Sequence, residues 1–271
     1  MYDPASYFDL SASSHAALFA GCEQVWQALT RLQDYVQAQV AQAAGGLLLP
    51  ADLGNGIPLA APLVLHEGRV LSGRHFAIAS GSIAKGELAV RDEKGRLLAG
   101  ASVVMAGAVL MGSGIKIGRG VLIEAGALIK APAIIGDNSE IRQSAYMRGH
   151  CLIGRGCVVG HATEVKHSVF LDEARAGHFA YLGDSILGRD VNLGAGTKCA
   201  NLRFLPGRVM IRTGQGRMDS GLLKFGAILG DRVQTGCNSV TSPGTLIGPD
   251  SLLMPNATAV SGIHPARSRL P

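Results

Sequence analysis

Three cations of this 271-residue chain, Lys130, Arg148 and Lys166, follow one another at intervals of eighteen residues. Brought together they would form an anion site, with Arg offering a bidentate fork and Lys a point charge. Spread over a wet surface they would be a solvated ladder of little consequence, and spacing alone does not choose. A second candidate is His178, in Ala176-Gly-His-Phe-Ala-Tyr181. Histidine is the side chain whose unperturbed pKa suits proton transfer near neutral pH, yet a lone histidine is more often structural. Gly194-Ala195-Gly196 offers backbone N–H groups suited to an oxyanion or a phosphate. His150, His161, His167 and His178 are spaced eleven, six and eleven, with no two eighteen apart. Zinc needs three ligands within about 2 Å of one point, so no metal site is expected.

A six-residue period describes the elements that must position these groups. Steps of six from Met105 reach Met111, Ile117, Ile123, Ile129, Ile135, Ile141, Met147, Ile153, Val159, Val165 and Leu171, all aliphatic. In a chain that is 47% hydrophobic, twelve such hits in one phase arise by chance about once in ten thousand trials. The residue two before each is small or β-branched, as at Val121, Ala127, Ala133, Ser139, Ala145, Cys151, Cys157 and Thr163. Residues two apart on a strand share a face, so both sets are expected to point into one interior. Gly follows the aliphatic residue at 112, 118, 136, 154 and 160, where a turn is needed. This grammar is that of a β-helix, an all-β solenoid. In hexapeptide β-helices three strands make each coil, a property of the architecture that the period alone does not establish. On that geometry Lys130, Arg148 and Lys166 form a column about 4.8 Å per step, self-repelling unless an anion lies alongside.

The period slips at Leu182-Gly183, Leu187-Gly188 and Leu193-Gly194, breaks after Asn201 and resumes at Leu229-Gly230 and Ile247-Gly248. The interruption, residues 202–223, holds an alternating run around Arg208–Arg212 and is expected to be a hairpin or flap. Such insertions often mark a binding face. Ahead of the repeats, Leu18, Cys22, Val25, Leu29, Leu32, Val36 and Val40 lie on one helical stripe within residues 15–43. Ser13 or Ser14 is the expected cap and Gly45-Gly46 the stop. The stripe is either an oligomerisation seam or the face of a helix laid on its own chain. The expected organisation is an N-terminal helical segment (1–48), a connecting segment (49–75), a β-helix (76–262) and a C-terminal tail (263–271).

Composition narrows the function. Aromatics are 5% of the chain, with 37 glycines, against an ordinary usage of about 7% Gly. Small residues and turns suit a narrow stacked core. The net charge is +5, but no run of five or more Lys/Arg and no basic stretch interleaved with aromatics points to nucleic acid. Phosphorylated small molecules fit scattered cations equally well. The five cysteines (Cys22, Cys151, Cys157, Cys199, Cys237) form no CxxC, so free thiols are expected in a reducing compartment. No signal-peptide pattern opens the sequence, and no apolar run reaches the ~18 residues of a membrane span. A soluble, cytoplasmic protein is expected.

The stretch GHATEVKHSVFLDEARAGHFAYLGDSILGRDVNLGAGTKCAN (160–201) resembles the acetyltransferase domain of the bifunctional N-acetylglucosamine-1-phosphate uridyltransferase family. Its motifs there read E-x-K-x-S, A-G-H-x-x-Y-x-G-D and N-x-G-A-G, in the same order. Residues 201–239 are more similar to a branch with a long insertion before K-x-G-x-x-x-G-D: sugar-1-phosphate nucleotidylyltransferase/acetyltransferases and stand-alone relatives. The resemblance spans roughly 100–262 and is specific over 160–240. It implies a left-handed parallel β-helix, a homotrimer with the site between chains, and a role in nucleotide-sugar biosynthesis. No G-x-G-T-R-like loop lies near the start, so it does not extend to uridyl transfer.

Carried across position by position, the resemblance implies that Arg148 and Lys166 clamp a sugar phosphate. His178 becomes the general base for the attacking amine, and Tyr181 and Lys224 become phosphate contacts. Asn192 and Asn201 would orient the sugar and the base, and the Ala195 amide would face the acetyl oxygen of acetyl-CoA. The family's Asn-Tyr is Asn201-Leu202 here, its Ser near the CoA thioester is Cys237, and its basic C-terminal tail shrinks to Arg267 and Arg269. The implied reaction moves acetyl from acetyl-CoA to the amine of an amino-sugar 1-phosphate. Two rivals remain: a γ-type carbonic anhydrase, whose histidine spacing is not met, and a non-catalytic β-helix that binds a sugar nucleotide or scaffolds a partner.

Overall fold

The computed structural model describes residues 2–42 and 46–271. Most of the chain winds into a left-handed parallel β-helix of about nine turns, whose short strands line up into three faces. The first face has nine strands, the second eight and the third eleven. Each coil runs from the third face to the second and then the first; one such passage is Arg175–His178, Tyr181–Gly183 and Ile186–Leu187. Corners turn through left-handed residues, several of them Asn or Asp, as at Asn138, Asp184, Asp190 and Asn238. These residues tolerate that conformation because a short polar side chain can bond locally.

The expected interior series holds over Ile117, Ile123, Ile129, Ile135, Ile141, Met147, Ile153, Val159 and Val165, each buried in the central core. It fails at both ends. Val104 and Leu110 occupy the core in place of Met105 and Met111, because the Gly112-Ser113-Gly114 corner is longer. Phe170 occupies it in place of Leu171. The corner between Val165 and Val169 has three residues, where the one between Met147 and Leu152 has four. Pairs that span this corner are therefore seventeen residues apart, Val159 with Ala176 and Val165 with Leu182. Leu171 turns outward and is buried beneath the N-terminal segment.

That segment lies on the outside of the first face. The single helix expected over 15–43 is divided: a 3-10 turn at Ala16–Phe19 precedes α1, Gln27–Ala41. Gly21, at φ +68, takes the chain out of the helical path between them. Neither Ser13 nor Ser14 caps α1; the Gln27 carboxamide oxygen accepts from Glu23 N and Gln24 N at 2.9 and 3.2 Å. Of the expected stop, Gly45 lies outside the described residues, and Gly46 leads into the strand Leu47–Leu48. The Lys116 ammonium donates to Gln39 O and Gln42 O at 2.9 Å each, satisfying helix-end carbonyls that α1 leaves open.

All seven stripe residues are buried and share one cluster with Ile134, Leu152, Val169, Ile186, Ile228 and Leu246 of the first face. The stripe therefore covers its own solenoid. The insertion forms a hairpin, Met210–Thr213 against Gly216–Asp219. Its Val209 and Ile211 join that cluster, and the Trp26 indole N–H donates to Ser220 O at 3.2 Å. Residues 63–72 form a hairpin that pairs onto the third face, and Ala77–Ser80 pairs with Leu88–Arg91 in a separate two-stranded sheet. Parallel coiling begins at Ser102–Val104. Residues 263–271, read as a tail, instead complete the strand Gly262–His264 and supply the outermost strand Arg269–Leu270. Among the described residues no helix is long and apolar enough to cross a membrane.

Candidate active site

The second face carries the cationic column. Parallel pairing stacks Tyr146, Glu164, Tyr181 and Lys198 in one outward row. Lys130, Arg148 and Lys166 follow in the next, and each is compensated from within the chain. Lys130 Nζ lies 5.3 Å from the centroid of the Tyr146 ring. Arg148 Nη1 donates to Glu164 Oε1 at 2.8 Å. Lys166 Nζ donates to both oxygens of Asp184, at 2.9 and 2.8 Å. Internal carboxylates thus relieve the repulsion expected between Arg148 and Lys166, and Lys130 rests on a ring face.

Asp184 is the centre of this cluster. Its side chain is 7% exposed and also receives His167 Nδ1 at 3.0 Å and the Asn201 amide. Burial is the largest single influence on its carboxyl and pushes its pKa up. Hydrogen bonds from His167, Lys166 and Asn201, with the Lys166 charge, outweigh that push and leave it below the ordinary carboxylate value. Tyr181 Oη donates to Asn201 Oδ1 at 3.2 Å. Burial raises the Tyr181 phenol, and the Glu164 and Asp184 charges add to the effect. Neither Asp184 nor Glu164 was singled out from sequence. The G-D of the second motif is visible, but nothing in it says that this Asp meets a Lys eighteen residues earlier.

Arg148, Lys166, Tyr181 and Asn201 thus converge. Lys224 is exposed beside them: the next residue's N–H, that of Phe225, donates to Asn201 O at 3.0 Å. His178, Ala195 and Cys237 occupy the other end of the same strands, at the corner between the third and second faces. His178 is exposed, three residues before Tyr181. Its carbonyl accepts from Gly196 N at 3.0 Å, and Ala195 O accepts from Asn238 N at 2.8 Å. The Ala195 N–H has no hydrogen-bond partner among the described residues. Cys237, one coil further on, carries an exposed thiol, while the other four cysteines are buried and free. Asn192 stands apart, exposed on the third face between Arg175 and Gln234.

The histidines fall into two separate columns. His161 and His178 are register partners with rings stacked 5.6 Å apart at 24°, and His150 and His167 sit at another corner with rings 6.2 Å apart. Both pairs are seventeen apart, so the test for a spacing of eighteen missed them. Among the described residues no three His, Cys, Asp or Glu converge on a metal position. Burial, followed by the neighbouring His167 and Lys166 charges, lowers His150.

On the second face Arg148 and Lys198 are exposed, and Lys130, Lys166 and Tyr181 are half-buried. A crevice of about 520 Å³, lined by His15, Gln39, Lys116, Arg119 and Arg155 among others, lies at the opposite corner between the N-terminal segment and the early coils.

The fold and this arrangement define a β-helix protein of the hexapeptide type. Residues 129–241 match the family model described as the GMPPB C-terminal domain. The chain is 41% identical over 92 residues to a bifunctional sugar-1-phosphate nucleotidylyltransferase/acetyltransferase of Sulfurisphaera tokodaii, covering 34% of this chain and 23% of that protein. It is 41% identical over 91 residues to the bifunctional protein GlmU of Methanococcus maripaludis, covering 34% and 22%. It is 34% identical over 93 residues to GlmU of Synechococcus elongatus, covering 34% and 17%. The resemblance read from the motifs is therefore borne out. The matched stretch spans under a quarter of these relatives' length.

Proposed function

We propose that the chain is a CoA-dependent N-acetyltransferase whose acceptor is the amine of an amino-sugar 1-phosphate of the glucosamine or galactosamine type. The observation that carries this reading is the strand Tyr181–Gly183. The exposed His178 imidazole lies just before it, and the Arg148, Lys166, Tyr181 and Asn201 cluster lies along its length and beyond. The similarity to proteins named as acetyltransferases and GlmU supports the same class.

In this reading the phosphate binds against Arg148 and Lys166, with Tyr181 and Lys224 as further contacts and Asn201 orienting the sugar, while Asn192, on the third face, serves the site of a neighbouring copy. The substrate ammonium gives one proton to solvent; His178 Nε2 or Nδ1 then takes a second from the amine as its nitrogen attacks the thioester carbonyl carbon of acetyl-CoA. The Ala195 N–H, without another partner among the described residues, donates to the oxyanion, beside Cys237. The carbon–sulfur bond then breaks, and the thiolate takes the proton from the imidazolium. A base of this kind contributes about 10²–10⁴-fold, and one oxyanion donor about 2.7–4 kcal/mol. The same resemblance implies a homotrimer in which a neighbouring copy completes the site.

The test is free-thiol release from acetyl-CoA with glucosamine-1-phosphate, galactosamine-1-phosphate and their nucleotide-linked forms. Turnover on one of them that falls at least a hundredfold in His178→Ala supports the proposal. Tight binding of a sugar nucleotide with no thiol release from any acceptor would replace it by the binding-module alternative.

A further inference from the structure

A catalytic imidazole is usually held by a hydrogen bond from its second nitrogen to a carboxylate or a carbonyl. Among the described residues neither ring nitrogen of His178 has such a partner. Charged groups on the surrounding strands are committed to one another or to the backbone. Glu164 is paired with Arg148 at 2.8 Å, Glu173 with Arg175 at 3.4 Å and Glu140 with Arg142 at 3.0 Å. The Lys198 ammonium donates to Gly196 O at 2.8 Å, and Tyr181 Oη is bonded to Asn201. What does touch His178 is ring surface. The His161 imidazole lies one coil earlier, 5.6 Å away and inclined by 24°. The Phe179 ring sits beside it at 6.2 Å and 40°. Phe179 N donates to His161 O at 2.8 Å, which clamps the two corners together directly after His178. His161 is itself half-buried and has no side-chain hydrogen bond among the described residues.

We propose that His161 is a positioning residue for His178, its imidazole acting as a platform that confines the other ring to one rotamer facing the substrate. This rests on the assignment of His178 as the base and extends it, since neither the motifs nor the cationic column requires a ring at position 161. Offset stacking of planar rings supplies a directional preference where a hydrogen-bonded orienting partner is lacking. The seventeen-residue coil makes the pairing possible, because it places 161 and 178 in the same corner position of successive turns.

The experiment compares His161→Ala, which removes the platform, with His161→Phe, which keeps a planar ring. In His161→Ala, kcat is expected to fall about tenfold, a fraction of the cost of losing the base, with KM for the sugar phosphate within about twofold of the original value. His161→Phe should recover most of kcat. Three-bond NMR couplings of His178 provide a readout independent of turnover. They should report one χ1 rotamer in the unaltered protein and in His161→Phe, and averaged rotamers in His161→Ala. Unaltered kcat together with an unaveraged His178 rotamer in His161→Ala overturns the proposal, as does a His161→Phe variant as slow and as averaged as His161→Ala. His178→Ala run alongside keeps the two ideas separate: full turnover in that variant removes the base, while the rotamer measurement still decides the platform.

Discussion

Replacing Asp184 by Asn tests the centre of the cationic cluster without changing its volume. The carboxylate is 7% exposed and its ammonium partner Lys166 is 24% exposed, so the pair is mostly shielded from water. Asp184 accepts from Lys166 through both oxygens, from His167 and from Asn201. Hydrogen bonds to a charged group contribute about 1.5–3 kcal/mol each, and breaking a fully buried ion pair costs about 3–5 kcal/mol. Lys166 retains some access to water, which moderates the loss, so a destabilisation of about 3 kcal/mol is expected. For a chain of this size that corresponds to a fall in Tm of roughly 8 °C.

The pH dependence supplies a second signature of the same group. The Asp184 pKa is depressed in the folded protein. Its contribution is therefore present above the unfolded carboxyl pKa of about 3.9 and lost as pH falls through the folded value. The stability gap between the original protein and Asp184→Asn should be constant from neutral pH down to about 5 and close below about 4. Denaturant unfolding from pH 3 to 7 measures this, by the displacement of the midpoint at unchanged slope. A variant within about 0.5 kcal/mol of the original at pH 7, or a gap that persists unchanged into acid, would refute the account of Asp184 as the charge that balances the column.

Two further substitutions probe the scaffold. Trp26 is 1% exposed, 6.1 Å from the Phe225 ring and bonded to Ser220 O. Trp26→Ala should cost about 3–5 kcal/mol and make the insertion more sensitive to proteolysis, both measurable by thermal melts and limited digestion. At Gly160 a Cβ would run into the carbonyl of Gly177 in the next coil. Gly160→Ala should destabilise by about 1–3 kcal/mol or more and disturb the corner that carries His178; a variant with the original Tm would show that the coils part more easily than their packing indicates.

The six-residue rhythm was legible because each β-helix corner repeats the same local steric demands. An inward aliphatic, a small residue two before it and a turn-forming residue after it are all short-range features. Hence Ile117 to Val165 could be assigned to the interior without a structure. The candidate residues were legible in part by that rhythm, which aligned Lys130, Arg148 and Lys166, and in part by motif resemblance, which supplied Tyr181, Asn201 and Lys224. Coil length was not legible, because one residue fewer between Val165 and Val169 leaves the alternation of residue types almost undisturbed. Yet that residue changes the pairing across the corner from eighteen residues to seventeen. It buries Phe170 in place of Leu171 and stacks His161 on His178. Likewise the stripe from Leu18 to Val40 was sound as an apolar face, but only the packed structure decided that the first face of its own solenoid covers it. A periodic sequence determines which side of a strand each residue takes; which residues meet across coils is set by the summed length of the corners between them.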